Sequence, residues 1–201
     1  MSINILPTEI FALISTYLKE EGEFFREKAG DTIIREIRDG KTYGNGLLHS
    51  FNDKPASILK DGSQYWYKNG ERHRDGDLPA VIESKGVQIW YRNGEIHRDN
   101  DLPAFIESGA QVWYQNGERH RDGDKPAVIY SNGTQKWYRN GKLHRNGDKP
   151  AVIYSDDSRY WYRNGKLHRD GDKPAMIYPN RQYWCINGNI CRVSYNKPTI
   201  E

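Results

Sequence analysis

Residues 126–149 read PAVIYSNGTQKWYRNGKLHRNGDK, and the same phrase returns along most of the chain. The tryptophans stand at 66, 90, 113, 137, 161 and 184, so consecutive ones lie 23 or 24 residues apart. Prolines 55, 79, 103, 126, 150 and 174 keep that step, as do all six histidines, at 49, 73, 97, 120, 144 and 168. A fixed period of this size marks a repeat architecture, in which each unit packs mainly on its neighbours. Copies begin at Pro55, Pro79, Pro103, Pro126 and Pro150, and one beginning at Pro174 decays after Trp184. Residues 31–54 read as a degenerate leading copy, with Tyr43, Asn45-Gly46 and His49 in phase, which gives an array over 31–198.

Each unit reads as β. Ala151, Val152, Ile153 and Tyr154 form one short β-rich run; Arg159, Tyr160, Trp161 and Tyr162 form another. Turn clusters separate them, and Asn-Gly follows Trp-Tyr at 69–70, 93–94, 116–117, 140–141 and 164–165. Asn-Gly is the strongest short hairpin signal, so Trp66 is expected opposite His73, and Trp90 opposite His97. Prolines stand where strands begin and a missing N–H does least harm. Two strands per unit would advance the array by about 10 Å per repeat. The expected fold is an all-β antiparallel hairpin meander or solenoid of 23–24-residue repeats, with a short N-terminal α-helical segment.

Strand parity puts Ala80, Ile82 and Trp90 on one face with His97. The other face collects Val81, Ile89, Tyr91, Phe105, Val112, Tyr114, Val128 and Tyr138. Both faces are partly apolar. Either the units close into two walls, or the aromatic face, with Tyr67, Tyr91, Tyr114, Tyr138 and Tyr162, is a docking surface for a protein partner.

Composition narrows the function. Leu, Ile, Val and Phe supply 39 of 201 residues, but 25 are aromatic and basic groups balance acidic ones at 30 to 27. Disorder is therefore not expected, because Trp and Tyr take over the apolar burial. A net charge of +3, with acids interleaved among the bases, argues against nucleic acid, and near-neutral repeats argue against membranes. No apolar run reaches the ~20 residues of a membrane helix. MSINILPTEIF has no secretory character, and two cysteines make no disulfide framework, so a cytoplasmic setting is expected.

No single catalytic constellation stands out, because nearly every chemical group belongs to the repeated pattern. Equivalent histidines about 10 Å apart cannot share one metal ion. They are expected to pack on the cross-strand Trp and bond a turn carbonyl. Arg74, Arg98, Arg121, Arg145 and Arg169 lie three positions before Asp77, Asp101, Asp124, Asp148 and Asp172, which suggests ion pairs within one turn. Cys185 and Cys191 replace the Tyr and His of a drifting terminal copy. The expectation is a non-enzyme without catalytic residues, cofactor or metal.

WYRNGKLHRDGDKPA, residues 161–175, resembles the MORN repeat, with its aromatic strand, Asn-Gly turn and following His. It departs from that family where His-Gly-x-Gly is replaced by His-Arg-x-x-Asp-x-Pro-Ala. The first thirty residues differ in kind. LPTEIFALISTYL, residues 6–18, has helical period, and Leu6, Pro7, Glu9, Ile10, Ile14, Tyr17 and Leu18 resemble the opening of an F-box. Only that opening matches. The combination resembles proteins encoded by large amoeba-infecting DNA viruses, which implies host cytoplasm or the virion as location.

The F-box resemblance implies that Leu6, Pro7, Ile10, Ile14 and Leu18 contact the adaptor of an SCF-type ubiquitin ligase while the repeats select a target. The alternative is a structural protein, such as a virion component, that assembles with itself or others while its helix caps the array.

Overall fold

The computed structural model describes residues 25–29, 32–38 and 41–195. Among them there is no helix, and nearly every strand is two or three residues long. Each unit contributes two strands to one continuous antiparallel sheet. Val81–Ile82 pairs with Gln88–Ile89, that strand with Phe105–Glu107, and so on through Met176–Ile177 to the terminal pair Arg181–Ile186 and Asn189–Tyr195. Upstream, Ser57–Ile58 joins Lys41–Gly44, which pairs with Thr32–Arg38 and through it with Phe25–Ala29. The helical segment expected over 1–30 therefore has its last part, Phe25–Ala29, in a strand; Leu6, Pro7, Ile10, Ile14 and Leu18 lie outside the described residues.

Units hold four strands rather than two. At Trp66, Trp90, Trp113, Trp137 and Trp161 the chain leaves the main sheet and makes a second hairpin: Tyr67–Lys68 with Glu71–Arg72, Tyr91–Arg92 with Glu95–Ile96, and likewise at 114–119, 138–143 and 162–167. The Asn-Gly dipeptides dictate these turns. Asn140 has φ 47° and Gly141 φ 71°, two consecutive left-handed residues of the kind that Asn and Gly tolerate. The leading copy obeys the same rule, with Asn45-Gly46 closing Tyr43 onto Leu48.

Register sorts the main sheet into three rows. Ala56, Trp66, Ala80, Trp90 and their equivalents alternate along one row: Trp66 N–H donates to the Ala80 carbonyl at 2.8 Å, and Trp90 N–H to that of Ala104. The six alanines are fully buried and Trp66 to Trp161 nearly so, a methyl group facing an indole on each neighbouring strand. The next row runs Tyr65, Val81, Ile89, Phe105, Val112, Val128 and on to Val152, Tyr160 and Met176, with its valines buried. The side hairpins cover it. Leu167 packs on the cluster of Ala175, Met176 and Cys185, and Arg72 lies over the Tyr65 ring. Of the two arrangements left open by parity, the two-layer one is therefore found.

Candidate interaction surfaces

The loop edge of the array is built from one motif used five times. Each repeat Arg lies flat on the Trp of its own unit: Arg74 on Trp66, Arg98 on Trp90, Arg121 on Trp113, Arg145 on Trp137 and Arg169 on Trp161, at 3.7–3.8 Å from ring centroids. Its ion pair runs to the preceding unit, not within its own turn. Arg98 grips both oxygens of Asp77 at 2.7 and 3.0 Å, and Arg145 those of Asp124 at 2.7 and 3.2 Å. A third guanidinium hydrogen bond holds the Pro carbonyl five residues on, Arg98 to Pro103 and Arg145 to Pro150. The carbonyl of the same Asp accepts the indole N–H, Trp90 from Asp77 and Trp137 from Asp124, both at 3.1 Å. One acidic residue thus locks two groups of the next unit. The expected intra-turn pairing fails because the three-residue separation points the two side chains to different neighbours.

Lysines strengthen the later locks. Lys125 reaches Asp101, Lys149 reaches Asp124 and Lys173 reaches Asp148, at 2.6–2.7 Å. Hydrogen bonds from Arg121 and then Lys125 hold the Asp101 carboxyl down at about 2, and those from Arg145 and Lys149 do the same for Asp124. Asp148 is lowered for the same reason by Arg169 and Lys173.

The histidines staple units as well. Backbone N–H of Asn93 donates to His73 Nδ1 at 3.1 Å, Asn116 to His97 at 3.0 Å and Asn140 to His120 at 3.1 Å, always from the turn of the following unit. At His73 and His97, with Nδ1 an acceptor, the ring proton sits on Nε2, where it meets Asp75 and Asp99 at 2.9 Å; His120 Nε2 lies 3.0 Å from Asp122. The expected bond to a turn carbonyl is replaced by this one to a turn N–H. Between successive loops lie clefts lined by the same residue types, the one over His120–Lys125 and Trp137–Lys149 enclosing about 540 Å³. Among the described residues, no three His, Cys, Asp or Glu side chains gather as metal ligands do. Cys185 and Cys191 are free, the first buried in the core and the second donating to the Trp184 carbonyl.

Tyr67, Tyr91, Tyr114, Tyr138 and Tyr162 begin the side hairpins and are half-buried rather than displayed. Arg72 Nη1 donates to the Tyr91 hydroxyl at 3.1 Å while lying over that ring, and Arg119 Nε donates to Tyr114 at 3.2 Å.

A third row lies on the sheet face away from the hairpins. Ile58, Gln64, Ile82, Gln88, Ile106, Gln111, Ile129, Gln135 and Ile153 stand directly opposite one another from strand to strand. Arg159, Ile177 and Gln182 continue it. Ile58 is 58% exposed and the other isoleucines are half-buried, so an Ile/Gln stripe crosses the whole open face. The sequence carries this signal as Ile at the fourth place of each unit and Gln two places before Trp. Reading it required the register.

Among the described residues no helix is long and apolar enough to cross a membrane. Compared with known proteins, the chain matches no family and no curated relative.

Proposed function

We propose that this protein is a non-enzymatic, protein-binding scaffold whose repeat array presents an extended surface to a protein partner. The observation that carries this reading is the open-face stripe of Ile82, Ile106, Ile129 and Ile153 alternating with Gln88, Gln111 and Gln135. Apolar anchors flanked by amides suit a flat protein contact, with burial from Ile and orientation from Gln. The polar groups of the loop edge, by contrast, are engaged in holding units together. A ligand recognised over several units would gain affinity from many weak, equivalent contacts rather than from one deep pocket.

The F-box-like opening extends the proposal. Leu6, Pro7, Ile10, Ile14 and Leu18 recruit the adaptor of an SCF-type ligase, and the array holds the target for it. The test uses the full chain and the purified adaptor subunit. Capture that Leu6→Asp with Ile10→Asp abolishes, at unchanged thermal stability, supports the ligase reading. A parent chain that fails to bind adaptor overturns it and leaves the structural role. For the array, Ile129→Asp with Ile153→Asp should abolish retention of a target identified with the parent chain while the fold stays intact; retained capture removes the stripe from the interface.

A further inference from the structure

The tips of the side hairpins divide the array into a stretch that carries glutamates and a basic stretch. In the first three hairpins the cross-strand tip pairs are Lys68 with Glu71, Arg92 with Glu95 and Gln115 with Glu118. In the next two they are Arg139 with Lys142 and Arg163 with Lys166. Like charges directly opposite one another on a strand pair are unfavourable, so these two hairpins carry a cost that the first three do not. Neutralisation within the unit also fails in the first of them. Lys68, Arg92 and Arg163 each pair with an aspartate, Asp75, Asp99 and Asp170, but Asn146 stands at the corresponding place for Arg139, which is left without one. The whole chain follows the same division. Residues 1–125 hold 17 basic and 21 acidic side chains, and residues 126–201 hold 13 and 6.

One exposed column therefore reads Glu71, Glu95, Glu118, Lys142, Lys166 along the wall of hairpins. The hairpins follow one another regularly, each Asn-Gly turn donating a Gly N–H to the preceding hairpin, Gly117 to Ile96 and Gly141 to Arg119 at 3.0 Å. A regular column of this sequence is complementary to its own reverse. We infer that two copies of the chain associate antiparallel through this wall, about a two-fold axis between the third and fourth hairpins. Such an axis sets Glu118 against Lys142 and Glu95 against Lys166, and repeats both pairs by symmetry. A two-fold contact uses the same patch on both chains, which is what an antisymmetric charge column supplies. Arg163 pairs with Asp170 in its own unit, and the counter-charge for Arg139, Lys142 and Lys166 is then found on the other copy. This association goes beyond the scaffold function and does not depend on it, since it leaves the Ile/Gln face open.

Sedimentation velocity of the full chain at about 0.1 mM gives the first test. Exposed charge pairs are screened by salt, so a dimer is expected at ~0.02 M salt and monomer at ~0.5 M. Lys142→Glu with Lys166→Glu makes the column all acidic, and Glu95→Lys with Glu118→Lys makes it basic from 95 onward. Each variant alone should be monomeric at low salt, while an equimolar mixture should give a heterodimer. Circular dichroism confirms that each remains folded, and Lys142→Gln with Lys166→Gln gives a milder loss should the reversals unfold. A parent chain that is monomeric at low salt, or variants that dimerise alone as well as the parent does, would overturn the inference. So would a dimer that survives high salt. A monomer that still retains its target would remove the dimer and leave the scaffold function standing.

Discussion

Along the loop edge the units carry the same side chains: Trp66, Trp90, Trp113, Trp137 and Trp161, under Arg74, Arg98, Arg121, Arg145 and Arg169. At the hairpin tips of those units the residues vary, Lys68, Arg92, Gln115, Arg139 and Arg163 on one strand and Glu or Lys on the other. The difference follows from what each place touches. A loop-edge Arg makes an aromatic stack, a two-pronged ion pair and a carbonyl bond at once, with only about 13–15% of its side chain exposed. No other side chain offers that planar fork with a stacking face. A tip residue such as Arg139 stands in water and constrains nothing. Between these two places, repetition of side-chain identity goes with contacts that hold units together, and variation goes with side chains that stand in water.

The sharpest way to break this comparison is Trp137→Ala. The indole is 5% exposed, stacked by Arg145 and hydrogen-bonded to Asp124, and its loss leaves a cavity between units. A destabilisation of about 3–5 kcal/mol is expected in denaturant unfolding. The tip substitution Arg139→Ala should stay within about 0.5 kcal/mol. Equal effects would erase the distinction between edge and tip.

Arg145→Gln is expected to come next, at about 2 kcal/mol, because it removes the stack and strips Asp124 of its fork. Lys149 remains on Asp124, so the carboxylate is not left unpaired. Hydrogen exchange should accelerate at both units sharing the lock, residues 120–125 as well as 137–150. Acceleration confined to one unit would contradict the inter-unit pairing.

His97→Ala tests the second staple. His97 is 7% exposed and links the Asn116 amide to Asp99, so about 1 kcal/mol should be lost. His97→Asn would not restore it, since the shorter side chain does not span from the next turn to Asp99. The turn at Asn116-Gly117 should exchange faster while the Tyr91–Arg92 hairpin of its own unit does not.

Much of the fold was legible because its signals are local. Asn-Gly fixed the side hairpins, and Trp and Pro fixed the period. The number of strands per unit was not, because the break at each Trp, where the chain turns from main sheet to side hairpin, leaves no Gly or Pro in the sequence. Nor was the direction of the Arg–Asp pair. Residues three apart invite pairing within a turn, and only the stacking of units shows that Arg98 lies nearer Asp77 than its own Asp101. The Ile/Gln stripe was visible as two separate periodic residues, but which strand opposes which is a property of the register. Parity placed the Tyr column on a face that was either enclosed between two walls or open to a partner; it is half-buried, because the side hairpin that carries it packs against the sheet.

The smallest effect expected separates the two ends of the loop edge. Asp53 is held by Arg74, whereas Asp124 is held by both Arg145 and Lys149, because Leu78 occupies the place that Lys149 fills later. Asp124 has a folded-state pKa of about 2, below the roughly 4 of an unfolded aspartate. Folding therefore favours its ionised form. That contribution is fully present above about pH 4 and is lost as the pH falls toward 2. Lys149→Leu turns this lock into the kind found at Asp53. Since Asp124 and Lys149 are well exposed, the loss at neutral pH should be below about 1 kcal/mol. The informative quantity is its pH dependence. The variant and the parent should differ at pH 6, converge through pH 4 to 2, and coincide once Asp124 is protonated in both. Thermal unfolding measured across that range checks it. A difference that persists undiminished at pH 2 would assign the lysine's contribution to packing of its alkyl stem rather than to its charge, and the later locks would then be no stronger than the early ones.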